Sequence, residues 1–328
     1  MAAPKKTIAR LLTMYQRQPG NRFGAQYQPA QRATTGEAPS VSRATILCAD
    51  KVGGREVHLL SGPELSAALA ALYHPGVFDL QEQRMLSPSP CEHPLAGHPI
   101  AIGAKLLPLP GTVAVMDDLG VAEHHPTIVD RRSKNPNDWR RLPWPYLGDL
   151  LLFLQDQDGL YCVNWTIKDK ERAFSTRGGL GTKPSRRDED DPGVQRRHEV
   201  ERRHYAAGGI RTVQVVGSRF NPEVIANLRT LFTHHAWRID VPLARRRELV
   251  EALGTFLGTD MTMEGVLKAV ARDFRLDEFC VRVVLYQAIW NRQLRVNLFE
   301  PIIADQPLEP EQVDVCSHYA ALFARAEA

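Results

Sequence analysis

The sequence predicts a mixed α/β core, preceded by a basic polar arm and followed by an all-helical module. Three observations support this. Strand-like and helix-like stretches alternate between residues 60 and 232, large apolar side chains are scarce from Leu12 to residue 45, and three helix-period segments of similar length follow Asp240. The expected boundaries are 1–45 for the arm, 46–238 for the core and 239–328 for the C-terminal module. The chain has 328 residues, 43% hydrophobic and 24% charged, which suffices for a sizeable core and excludes a disordered, collagen-like or disulfide-scaffold description of the whole.

The arm holds Pro19-Gly20-Asn21-Arg22-Phe23-Gly24 and is expected to be extended. Ser61-Gly62-Pro63-Glu64 is a helix start with the spacing of a capping box. Leu65, Ala68, Leu69 and Leu72 continue it at helical spacing as far as His74-Pro75-Gly76. Thr112 to Met116, β-branched and apolar, is expected as a strand. Asp130 to Trp144 is expected as a polar loop rich in arginine. Leu150–Leu154 and Leu160–Lys168 form a hairpin across Gln155-Asp156-Gln157-Asp158-Gly159. A second polar loop, Arg172 to Gln195, leads into a helix over 194–207, a strand over 211–217 and a helix over 221–232. Helices over 243–257, 262–274 and 277–290 and a short strand-like end, Leu294 to Phe299, have the order of a winged-helix domain. A small helical bundle used for protein contacts fits the same pattern.

Five scattered cysteines without a C-x-x-C pair favour a reducing compartment and argue against structural zinc, although Cys91, His93 and His98 lie close in sequence. No apolar run is long enough to span a bilayer, and no secretory signal is expected at the N-terminus, so the expected location is cytoplasmic, without a membrane partner. The net charge of +3 hides segregation. Residues 1–60 hold 9 basic and 3 acidic side chains, and 271–328 hold 6 basic and 9 acidic. That distribution admits a polyanionic partner despite near-neutrality.

The chemistry-bearing stretch is Leu147-Gly148-Asp149-Leu150-Leu151 followed by Asn164-Trp165-Thr166-Ile167-Lys168. An aspartate opening one strand of a hairpin and a lysine closing the next resembles the PD-(D/E)xK restriction-endonuclease-like core. Period-two alternation puts Thr166 and Lys168 on one face. Asp149 and the Ile167 carbonyl offer hard oxygen ligands for Mg²⁺, and Lys168 is suited to offset charge at a scissile phosphate. The same pattern also describes a solvated hairpin end, and Glu64 by itself also reads as a helix cap.

The order of further motifs adds to the pattern: Tyr27-Gln28-Pro29, Arg55 to Ser61, Val77 to Gln83, His125-Pro126-Thr127-Ile128 and Glu199 to Tyr205. Over roughly residues 20–300 the chain resembles the TnsA family, the endonuclease subunit of heteromeric cut-and-paste transposases. The resemblance implies Glu64, Asp149 and Lys168 as catalytic residues, with Glu64, Asp149, Thr166 and Ile167 around Mg²⁺. Thr166 departs from the family's usual Gln or Glu. Arg131, Arg132, Arg140, Arg141, Arg196, Arg197, Arg202 and Arg203 would then contact DNA phosphates. The resemblance implies cleavage of the non-transferred strand at the 5′ transposon ends beside a TnsB-like DDE transposase. It also implies a TnsC-like AAA+ regulator docked on the C-terminal domain, and hence a nucleoid-associated location. The alternatives are a catalytically inactive assembly subunit, suggested by Thr166, and an unrelated nuclease with the same core.

Overall fold

A computed structural model describes residues 6–39, 43–176 and 190–326. The arm is not extended throughout. It carries helix α1 (Ile8–Arg17), capped by Thr7, whose hydroxyl accepts from the Arg10 amide at 3.1 Å. The reason is Leu11 and Met14, one turn apart, which bury against Ala30 and Trp144.

Strands β1 (Thr45–Cys48) and β2 (Glu56–Leu59) pair antiparallel, and helix α2 (Gly62–Tyr73) follows. Next come β3 (Val77–Glu82) and β4 (Met85–Leu86). Thr112 onward is a helix, α3 (Thr112–Asp118), and not the expected strand. Thr112, Val115 and Met116 are its buried residues, an i, i+3, i+4 spacing that outweighs β-propensity. The expected polar loop from Asp130 to Trp144 is instead the distal part of a two-stranded ribbon. Strand β5 (Thr127–Asp130) pairs antiparallel with β6 (Arg140–Pro143), and apolar Ile128 and Leu142 face each other near its base. Strand β7 (Tyr146–Leu147) pairs with β4.

The centre is a four-stranded sheet in the order β10-β9-β8-β3, completed by β8 (Leu150–Asp156), β9 (Gly159–Lys168), helix α4 (Pro192–Ala206) and β10 (Arg211–Val216). The hairpin expected from the sequence forms, with Asp156 opposite Gly159, and β10 runs parallel to β9. Of the second polar loop, residues 177–189 lie outside the described residues. On one face Leu151, Phe153 and Cys162 pack with Tyr205 of α4. Beside them Asn164 donates to the buried Glu201 at 2.9 Å. On the other face Trp165 donates to the Leu322 carbonyl at 2.8 Å, and Phe323 stacks on His74 at 4.2 Å.

Two compact units result. The first comprises residues up to Ser218 and from Leu322 onward, and the second is Arg219–Ala321. The second unit gathers α5 (Pro222–His234), α6 (Leu243–Gly254), α7 (Met263–Phe274) and α8 (Glu278–Trp290) around Leu249, Leu267, Val281 and Leu285. Its extended tail is pinned by Asn227, which donates to the Leu298 and Glu300 carbonyls and accepts from the Ile302 amide. The expected strand at Leu294–Phe299 does not form. Val296 makes a single bridge to Pro310, and the Asn227 side chain takes the Leu298 carbonyl that a strand partner would need. The architecture is mixed α/β, and among the described residues no helix is long and apolar enough to cross a membrane.

Candidate active site

Glu64 owes its place to the start of α2. The Ser61 hydroxyl accepts from the Glu64 amide at 3.3 Å and donates back to Glu64 Oε1 at 2.8 Å, while Oε2 accepts from the Leu60 amide at 2.8 Å. Pro63 precedes it, and the helix start lies against the end of β10. A Cβ on Gly217 would come within 2.6 Å of the Pro63 ring, so glycine is what permits this approach. The cap expected from the sequence is therefore present and at the same time holds a carboxylate that is only 7% exposed.

Asp149 opens β8, fixed by its carbonyl, which accepts from the Gln83 amide at 3.1 Å. Its Oδ2 accepts from the Ile167 amide at 2.7 Å and lies 3.5 Å from Lys168 Nζ. The lysine donates to the Ile167 carbonyl at 3.0 Å. Asp149 Oδ1 has no hydrogen-bond partner among the described residues. Glu64, Asp149, Ile167 and Lys168, which come from three segments of the sequence, all line one cleft of about 800 Å³. Burial pushes the Glu64 carboxyl up to about 7, the nearby Asp149 charge adds to this, and the bonds from Leu60 and Ser61 oppose it.

Sequence reasoning missed the role of Gln83. It is buried, its φ is +48°, and its side chain donates to Glu64 Oε2 at 3.3 Å. Its carbonyl accepts from the Ala30 amide at 3.1 Å and the Gln18 side chain at 3.3 Å. One residue in a left-handed conformation thus bonds Asp149 through its backbone and Glu64 through its side chain. Such a conformation in a non-glycine residue persists only where several bonds hold it. The neighbouring Glu82 anchors it further. Arg55 bonds both Glu82 oxygens at 2.9 Å, and the His58 amide adds a third bond at 3.0 Å.

Thr166 is not among the residues lining this cleft. It lines a second pocket of about 460 Å³ with His198 of α4. The Thr166 hydroxyl and both His198 ring nitrogens are buried without a hydrogen-bond partner among the described residues. Burial holds the His198 imidazole down to about 4, so it is neutral at pH 7. The arginines expected at DNA divide into three groups. Arg197 lines the cleft and donates to the Leu147 carbonyl at 2.9 Å, and Arg196 is half-buried beside it on α4. Arg202 and Arg203 both bind Glu199, whose carboxyl they hold down to about 2. Arg131, Arg132, Arg140 and Arg141 are exposed on the β5–β6 ribbon. Buried His125 bonds Thr112 at 3.0 Å, and only its neighbour Pro126 lines the cleft.

Among the described residues no three His, Cys, Asp or Glu side chains converge as a metal site, and Cys91, His93 and His98 form none. The hard-oxygen set at the cleft suits Mg²⁺, which commonly takes one or two carboxylates and fills its remaining positions with water and phosphate oxygens. Glu64, Asp149 and the Ile167 carbonyl are the oxygen donors at this cleft that would hold such an ion, while Thr166 does not line it. No protein-family model matches the chain, and no curated protein matches it.

Proposed function

We propose that the chain is a Mg²⁺-dependent DNA endonuclease, a TnsA-like subunit of a heteromeric transposase that cuts the non-transferred strand at the 5′ transposon ends. The observation that carries this reading is the meeting of Glu64, Asp149 and Lys168 in one cleft, with the Asp149 carboxylate 3.5 Å from the Lys168 ammonium. Glu64, Asp149 and the Ile167 carbonyl would hold the cation, which when bound supplies Lewis acidity toward a phosphodiester. Lys168 is held by Asp149 and the Ile167 carbonyl, so its charge is already in place to offset charge developing on the phosphate oxygens. Gln83 keeps Glu64 and Asp149 in register, and Arg197 adds a cation to the same wall.

In this reading a TnsB-like DDE transposase cuts and joins the 3′ ends, and the helical C-terminal unit docks on a TnsC-like AAA+ regulator. The test is strand-resolved cleavage of end-labelled transposon DNA with all partners and Mg²⁺. Wild type is expected to cut both strands, and Asp149→Ala or Lys168→Ala only the 3′ strand. Normal 5′ cleavage by either variant overturns the site assignment. A wild type that never cuts the 5′ strand supports the inactive assembly subunit instead.

A further inference from the structure

Among the described residues the β5–β6 ribbon pairs with no other strand; it runs from Thr127 opposite Pro143 to Asp130 opposite Arg140. Its base is fastened. The Trp144 amide donates to the Pro126 carbonyl at 2.7 Å, and Ile128 and Leu142 pack with Leu11, Met14 and Trp144. Beyond the base, Arg131, Lys134, Trp139, Arg140 and Arg141 are all exposed.

Exposed connections are commonly more mobile than the elements they join. This tip is held by bonds of its own. Trp139 Nε1 donates to the Ser133 carbonyl at 3.1 Å, the Ser133 hydroxyl donates to Asp138 at 2.8 Å, and the Asn135 side chain caps the turn Pro136–Asp138. The Arg131 guanidinium lies 4.9 Å from the Trp139 ring centre. Residues 127–143 hold five cations and two carboxylates. Both carboxylates are engaged within the ribbon, Asp130 by Arg132 and Asp138 by Ser133. Lys134, Arg140 and Arg141 therefore have no acidic partner among the described residues. Pro126 at one foot and Trp144 at the other line the cleft that holds Glu64, Asp149 and Lys168, so the ribbon rises from the rim of that cleft.

We propose that the ribbon is a duplex-DNA arm for the adjoining site, lying in a groove beside the scissile phosphodiester. Lys134, Arg140 and Arg141 engage phosphates, and Trp139 faces base edges. This rests on the nuclease reading above. A major groove roughly 12 Å wide admits a two-stranded ribbon. The pre-formed tip means that little conformational entropy is lost on binding. A duplex fits better than a single strand, because one tryptophan offers no platform for successive bases.

The test uses the full-length Asp149→Ala protein, expected not to cut, and a 5′-fluorescein duplex of about 30 base pairs in fluorescence anisotropy over a salt series. Adding Lys134→Ala, Arg140→Ala and Arg141→Ala is expected to weaken binding at least about 10-fold and lower the salt slope by about 2–3, with melting temperature unchanged. Trp139→Ala is expected to leave the slope unaltered while narrowing the preference for transposon-end over scrambled duplex. Equal affinity and slope in the triple variant overturn the arm but leave the nuclease reading intact. No duplex binding by the Asp149→Ala protein also overturns the arm, and strand-resolved cleavage by wild type then decides separately whether the nuclease reading stands.

Discussion

Two carboxylate–cation pairs flank Gln83, and they are built in opposite ways. Glu82 and Arg55 are 0% and 6% exposed, bonded through both carboxylate oxygens, with a further bond from the His58 amide. Asp149 and Lys168 touch through one oxygen at 3.5 Å, are 14% and 27% exposed, and open onto the cleft. A saturated pair shut away from water holds the end of β3 in place. A sparse pair beside a second, protonatable carboxylate is available for chemistry. The difference lies in the guanidinium fork of Arg55, which bonds both carboxylate oxygens, against the single ammonium of Lys168, and in burial.

The contrast breaks first at Glu82. Glu82→Ala leaves Arg55 buried without its carboxylate, with bonds left to the Glu56 and Leu80 carbonyls, and should cost about 3–5 kcal/mol in chemical denaturation. A loss under about 1 kcal/mol would show the pair is not structural. Asp149→Ala should do the reverse, reducing 5′-strand cleavage by about 100–1000-fold while changing stability by less than about 1 kcal/mol.

Glu64 sharpens the comparison through pH. Its folded carboxyl titrates near 7 against 4.5 in the unfolded chain, so its favourable contribution is complete below 4.5 and is lost as pH rises through 7. In chelator, Glu64→Gln should match wild type at pH 4 and exceed it at pH 8 by up to about 3 kcal/mol. Parallel stability curves between pH 4 and 8 would contradict the burial of this charge. Gln83→Leu keeps the bulk and removes the donor to Glu64. A loss of about 10–100-fold in kcat with KM unchanged is expected, and a pure stability defect would make Gln83 structural only.

Much of this was legible in the sequence. The capping spacing from Ser61 to Glu64, the apolar run Leu150–Leu154 and the turn before Gly159 are local signals, and each formed where the pattern put it. The helix at Thr112 and the β5–β6 ribbon were not legible. In one, three buried positions override β-branched propensity. In the other, strand pairing depends on an apolar base formed with α1, which is distant in sequence. Gln83 was hidden for a related reason. Nothing local marks a glutamine with positive φ, because its conformation is set by bonds to Ala30, Gln18, Glu64 and Asp149. Thr166 was placed at the metal by its position in the resembled motif and by strand alternation, which give its face but not the presence of His198 and a separate pocket there.

The central claim is that the sparse pair and Glu64 form a divalent-cation site. Crystals soaked in Mn²⁺, a Mg²⁺ surrogate with a measurable anomalous signal, test it most directly. The account predicts an anomalous peak ligated by Glu64, Asp149 and the Ile167 carbonyl that is lost in Asp149→Ala. A peak bound elsewhere, or none at that cleft, would contradict it.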